Sequence, residues 1–145
     1  MFGTTAVGGL FSGKQQCGTV FKLIPPAPPS TTWTERSLYK FRCGRDGGNP
    51  ASGPASDSSG NLYVATPDSG KGSCLGEYGC GAVVKLTPPS EAGKLWTTSV
   101  LYTFSGGADG GVAYGQPTVD PKGNLYGTTW EGGQAGNGTV FEITP

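Results

Sequence analysis

The chain has 145 residues, of which 27 are Gly, 12 are Pro and only 14% are charged. Ten acidic residues balance ten basic residues, so no long-range field would draw the protein to nucleic acid or to an anionic membrane. The apolar runs are far too short to insert into a membrane as a helix, and none has sustained helical spacing. Composition therefore predicts an all-β protein built from short strands and turns.

The same phrases recur along the chain. GNLYVAT at 60–66 returns as GNLYGTT at 123–129, 63 residues later, and FGTT at 2–5 is a shortened copy. A second phrase follows each of these in turn, as GTVFKLIP at 18–25, GAVVKLTP at 81–88 and GTVFEITP at 138–145. Ordered copies indicate a tandem repeat whose units bury apolar surface by stacking on one another.

Each full repeat is predicted to contain four antiparallel strands, named A to D in the order in which they follow one another. Strand A leads into an Asp-x-x-Gly turn, B is the NLY phrase, C is the VFKL-type phrase, and D is SLYKF or VLYTF after a Trp. The chain then reads B-C-D, A-B-C-D, A-B-C, which makes ten strands. Residues 1–145 form one repeat region, divided into a partial repeat at 1–50, a full repeat at 51–113 and a partial repeat at 114–145.

Four-stranded antiparallel modules in tandem are typical of β-propeller blades, and a β-sandwich of two modules is the alternative architecture. A propeller closes with about four to eight blades. Two and a half modules leave apolar faces uncovered at both ends, so we expect packing against further repeats or self-association.

The four cysteines flank the predicted strands. If Phe21 on strand C lies opposite Tyr39 on strand D, Cys17 comes opposite Cys43, and a cross-strand disulfide is reasonable. The second repeat has Gly at the position of Cys43, so Cys80 is paired with Cys74 instead. Two disulfides favour an oxidising compartment. A zinc site and free buried thiols are the alternatives, although the chain has no His to serve as a metal ligand.

The loops divide into a uniform and a variable end. A–B turns and C–D loops resemble one another between copies, whereas the B–C and D–A loops differ in length and chemistry. A rigid scaffold that carries variable loops is expected to bind ligands through them. The candidate ligand-binding residues on these loops are Tyr78, Glu77, Trp130, Glu131 and Tyr114.

Repeated polar and aromatic residues favour structural roles. Asp57 and Asp120 are interpreted as turn formers. Asp46 and Asp109 each precede Gly-Gly and could form turns or bind Ca²⁺. Turn formation is preferred because neither loop has the several alternating oxygen side chains of a good calcium loop. Trp33 and Trp96 are expected to pack at module edges. No other metal or cofactor is expected.

Several phrases together resemble a known family. GNLYGTT, GTVFEITP and SVLYTFSGGADG are similar to the GloVer-type tandem repeat of bacterial surface proteins, and DSSGNLYVAT is similar to the inner-strand phrase of NHL-type propellers. The resemblance covers nearly the whole chain. It implies an exported, often cell-surface protein, and it supplies no catalytic residues.

The absence of His removes the usual nucleophile systems, so the sequence more readily indicates a binding protein than an enzyme. The predicted function is a non-enzymatic extracellular or cell-surface repeat protein for adhesion, scaffolding or recognition of a glycan or protein. The alternative is part of a carbohydrate-active propeller enzyme, a hydrolase or lyase, that would use paired carboxylates.

Overall fold

The computed structural model describes residues 1–9, 11–12, 15–44, 46–68, 72–74, 79–91 and 93–144. These residues form strands, turns and loops without any helix, which confirms the all-β class. The strands are β1 (Phe2–Thr5), β2 (Phe11–Ser12), β3 (Gln15–Gln16), β4 (Thr19–Ile24), β5 (Thr34–Lys40), β6 (Ala55–Ser56), β7 (Leu62–Thr66), β8 (Ala82–Thr87), β9 (Thr97–Thr103), β10 (Thr118–Val119), β11 (Leu125–Thr128) and β12 (Val140–Ile143).

Three antiparallel sheets account for ten of these strands. The first sheet has the order β1-β4-β5, the middle sheet β6-β7-β8-β9 and the last sheet β10-β11-β12. The middle sheet thus has all four predicted strand types, whereas the described residues supply no A strand to the first sheet and no D strand to the last. The sequence missed the hairpin β2–β3, in the loop between β1 and β4. Its strands have two residues each, too few for a recognisable pattern.

The predicted register of the first sheet is wrong. Val20, and not Phe21, lies opposite Tyr39, and a β-bulge then shifts the pairing further, so that Phe21 lies opposite Ser37. The middle sheet repeats this bulge between Val83 and Val84. A bulge inserts one unpaired residue into a strand, and a simple count along the ladder cannot anticipate it.

The three sheets stack face to face. Every residue of β7 is buried, which is expected only when a sheet is covered on both faces. One face of the middle sheet packs on the first sheet, through Leu62, Val64, Val84, Leu86, Val20, Leu38 and Phe41. Its other face packs on the last sheet, through Tyr63, Ala65, Val83, Phe104, Leu125, Phe141 and Ile143.

At one cross-strand position on these faces, the middle sheet has different residue types from the other two sheets. Val64 lies opposite Val84 in the middle sheet, whereas the equivalent pairs are Gly3 with Phe21 and Gly127 with Phe141. A Cβ atom at position 127 would lie 2.3 Å from Cζ of Phe141, so the ring occupies the space above the glycine. A Gly–Phe pair therefore fills the volume that two valines fill elsewhere.

Loops link neighbouring sheets at one end of the stack. Gly48 forms a bridge with Asp68, and Gly111 forms a bridge with Glu131. Both residues of the second bridge lie 63 residues, one repeat, after those of the first. Each bridge joins the loop after a D strand to the loop after the B strand of the next sheet. The variable loops of consecutive repeats therefore meet there.

Candidate functional site

Three of the predicted ligand-binding residues come together on these loops. Trp130 is 70% exposed, and its ring meets that of Tyr114 edge-on at a centroid distance of 6.4 Å. Glu131 follows Trp130 in the chain and lines the same groove. The other two predicted residues, Glu77 and Tyr78, lie outside the described residues.

Trp130 and Glu131 line an open groove of about 940 Å³. Gly106, Gly107 and Ala108 of the loop after β9 form one side of it, and residues 130–137 form the other. Sequence reasoning identified both loops but missed Gln134 as a lining residue, because a single Gln in a Gly-rich loop has no distinguishing pattern.

The backbone holds the two sides of the groove close together. Glu131 and Gly111 exchange backbone hydrogen bonds of 2.8 and 3.1 Å, and the Trp130 amide donates to the Val112 carbonyl at 3.0 Å. Gly132 has a φ of 78°, and a Cβ there would lie 2.6 Å from Cα of Gly110. Only glycine combines this conformation with so close an approach. The indole is thus presented from an anchored backbone.

Chemically, the groove combines one broad aromatic face with uncharged and acidic hydrogen-bonding groups. The exposed indole of Trp130 offers a stacking surface, while Gln134, Asn137 and Glu131 offer amide and carboxylate groups along the same groove. Asn137 is also the first residue of an Asn-x-Thr glycosylation motif, and here it forms a bridge with Gly132.

Asp57 and Asp120 each organise a turn between strands A and B. The Asp57 carboxylate accepts the Ser59 and Asn61 amides at 2.9 Å, and it also accepts the Asn61 side chain and the Tyr63 hydroxyl. Asp120 repeats this arrangement with Lys122 and Asn124. Burial acts to raise the pKa of Asp57, but hydrogen bonds from Asn61, Tyr63 and Ser59 outweigh it and hold this pKa below its usual value. Burial and the bond to Asp57 raise the pKa of Tyr63 to about 12.

Asp46 and Asp109 bind their own loops. Asp46 accepts the Tyr39 hydroxyl at 2.7 Å, and Asp109 accepts the Tyr102 hydroxyl at 3.1 Å and the Ser105 amide at 2.9 Å. Burial opposes ionisation of Asp109, yet the Ser105 and Tyr102 bonds keep its pKa below the usual value. Among the described residues, no group of three or more acidic or Cys side chains is placed to hold a metal ion.

The two repeated tryptophans differ in burial. Trp96 packs against the core between the first and middle sheets, and its ring meets Phe2 of the first sheet at 6.4 Å. Trp33 is 53% exposed, so the expected packing is wrong for this residue. The reason is its position: Trp96 contacts Phe2 of the preceding sheet, and the described residues place no equivalent ring beside Trp33.

The cysteines form the two pairs expected from the sequence. Cys17 is bonded to Cys43 with a Cα–Cα distance of 5.3 Å, and Cys74 to Cys80 with 4.8 Å. The two bonds occupy equivalent places, since a Cβ at Gly106, the counterpart of Cys43, would lie 2.4 Å from Sγ of Cys74. Disulfides indicate an oxidising, extracellular setting.

None of the described segments is a helix long and apolar enough to cross a membrane. No curated protein and no solved structure shows significant similarity to the chain. Residues 1–145 match the Gloeobacter/Verrucomicrobia repeat family. The recurring phrases, the stacked antiparallel sheets and this match over the whole length agree, and the chain belongs to the Gloeobacter/Verrucomicrobia repeat family.

Proposed function

We propose that this repeat protein acts outside the cell or on its surface as a non-enzymatic binding or scaffolding protein, and that the groove beside Trp130 recognises a neutral glycan. The observation that carries the proposal is the large exposed indole on an anchored loop, with Tyr114 at its edge and hydrogen-bonding side chains along the same groove. Exposed aromatic faces with a few polar groups suit sugar rings, which have apolar faces and hydroxyl edges.

The absence of net charge in the chain supports a neutral ligand. Ten acidic and ten basic residues cancel, and Glu131 is the one ionisable residue among the described residues that line the groove. A polyanion would gain little from such a surface. The repeated acids Asp57 and Asp109 are engaged in their own loops, which favours binding over acid–base chemistry.

We further propose that the three sheets are consecutive blades of a β-propeller, with the repeat boundaries at 1–50, 51–113 and 114–145. Burial of both faces of the middle sheet supports this arrangement, because each blade of a propeller is covered by its two neighbours. Further repeats, from the same or another chain, are then the partners of the outer sheets. The proposal requires no cofactor.

The test compares Trp130→Ala with Trp96→Ala. Because the Trp130 side chain is largely exposed, Trp130→Ala should change the free energy of unfolding by less than about 0.5 kcal/mol while weakening glycan retention at least about tenfold. Affinity electrophoresis through gels that contain neutral polysaccharides measures retention, and a glycan array widens the search.

Trp96→Ala is the matched control. Its side chain packs against the core, so the variant should lose about 2 kcal/mol of stability while still binding the ligand when folded. Trp130→Phe keeps an aromatic face and should recover part of the retention. Unchanged retention after Trp130→Ala, or no retained glycan in either assay, would leave a purely structural role as the better account.

A further inference from the structure

The last sheet has an open edge along β12. In the middle sheet, the equivalent strand β8 pairs along its outer edge with β9. In the described part of the chain, β12 pairs only with β11. Val83 on β8 lies opposite Tyr102 of β9, whereas no strand that the structure describes lies opposite its counterpart Val140 along this edge.

Backbone groups along this edge point outward. The Thr139 carbonyl accepts the Thr129 amide at 2.9 Å, so Thr139 faces β11. Hydrogen-bonding directions alternate along an antiparallel strand, and the N–H and C=O groups of Val140 and Glu142 therefore face away from β11. They form the donor and acceptor row that an added strand needs.

Beside this edge lies a groove of about 320 Å³, lined by Tyr102 and Phe104 of the middle sheet and by Val140, Phe141 and Ile143 of the last. Tyr102 is 39% exposed there. Its counterpart Tyr39, at the interface between the first and middle sheets, is covered: the Thr98 side chain of β9 lies beside its phenol. The groove is thus the place that a D strand fills one sheet earlier.

We propose that the β12 edge and this groove bind one extended strand of the D type, a segment with the pattern shared by WTERSLYKF at 33–41 and WTTSVLYTF at 96–104. The strand lies antiparallel to β12, with the Tyr of its LYxF motif opposite Val140, as Tyr102 lies opposite Val83. In the middle sheet, Val100 pairs with Val84, on the face that meets the preceding sheet. The residues of the bound strand that correspond to Thr98 and Val100 therefore face the middle sheet, where they cover Tyr102 and Phe141. Backbone bonds supply affinity, and the side chains on this face supply selectivity.

This inference specifies how a partner repeat docks and does not involve the Trp130 groove, so it and the glycan proposal fail independently. The probe is a fluorescently labelled, lysine-tagged peptide of residues 96–104, and fluorescence polarisation measures its binding to the whole chain. We expect saturable binding. The matched control is a peptide that carries Val100→Asp, so that the substitution is in the probe and the protein keeps its own sequence. This peptide should bind at least about tenfold more weakly, because it places a carboxylate against aromatic rings.

Val140→Pro tests the edge itself. The substitution removes an outward N–H without touching the core, and Pro is tolerated on edge strands. Peptide binding should weaken about tenfold or more, while the matched control Val140→Thr, which keeps the N–H, should bind nearly as the original. Melting temperature checks that both variants fold.

Three outcomes would overturn the proposal. These are absence of peptide binding, equal binding to Val140→Pro, and equal binding of the Val100→Asp peptide. Sedimentation gives a further decision: if the chain forms dimers that the peptide does not dissociate, the outer face is occupied by a second copy as a whole and not by a single strand.

Discussion

The last sheet has the pair Gly127–Phe141 where the middle sheet has Val64–Val84. We therefore expect that substituting both residues of the Gly–Phe pair by Val destabilises the protein less than either single substitution. Gly127→Val puts its Cβ 2.3 Å from Cζ of Phe141, so the ring must move away from its contact with Phe104, at a centroid distance of 5.2 Å. Overpacking of this kind costs about 1–3 kcal/mol. Phe141→Val alone removes a ring from the interface between two sheets and should cost about 2–3 kcal/mol, somewhat less than truncation to Ala.

Together the two substitutions recreate the pair Val64–Val84, both of which are fully buried in the middle sheet. If volume complementarity explains the exchange, the double variant should lose no more than about 1 kcal/mol, a coupling of at least about 2 kcal/mol relative to the sum of the single variants. Urea unfolding measures each free energy, and the melting temperature should move by roughly 2–4 °C per kcal/mol.

The first sheet provides the control. A Cβ at Gly3 would lie 2.5 Å from Cζ of Phe21, but this ring belongs to the outer face, which none of the described sheets covers. Gly3→Val should therefore cost less than about 1 kcal/mol. The reasoning fails if the single losses at positions 127 and 141 simply add within about 0.5 kcal/mol, or if Gly3→Val destabilises as strongly as Gly127→Val.

Two further predictions concern crosslinks and pH. Chain entropy predicts that the Cys17–Cys43 bond, with a sequence separation of 26, stabilises by about 3.5 kcal/mol, and the Cys74–Cys80 bond, with a separation of 6, by about 2.2 kcal/mol. Gly106 is the counterpart of Cys43, and both residues have positive φ. The double variant Gly106→Cys, Cys74→Ala should therefore form a disulfide between positions 80 and 106. Free thiols at these positions in non-reducing peptide mapping would show that the two sites are not equivalent. The pKa values of Asp57 and Asp109 are lower in the folded than in the unfolded protein, so their stabilisation is present above about pH 4 and is lost as the pH falls through the lower folded values. Asp57→Asn should therefore cost about 1–2 kcal/mol at pH 7 and flatten the acid side of the stability curve, whereas an unchanged acid slope in urea unfolding would show that the turn carries no such linkage.

Much of the fold follows from local patterns in the sequence. The order of the strands, the turns at Asp57 and Asp120 and the two cysteine pairs could be predicted because each depends on residues within one repeat. Recurrence adds to this, since a phrase that returns in fixed order must serve the same local structure each time. The family was recognisable for the same reason.

Contacts between repeats were decided only in the tertiary structure. Trp33 and Trp96 occupy equivalent sequence positions, yet only Trp96 is packed, because burial depends on whether a preceding sheet is present. The bulge after Val20 shifts the strand register by one residue, and no pattern of side chains in the sequence predicts it. Likewise, Trp130 meets Tyr114 because the bridge between Gly111 and Glu131 brings together two loops that are distant in sequence. Such pairings depend on how sheets stack, a long-range property that residue periodicity within a strand does not encode.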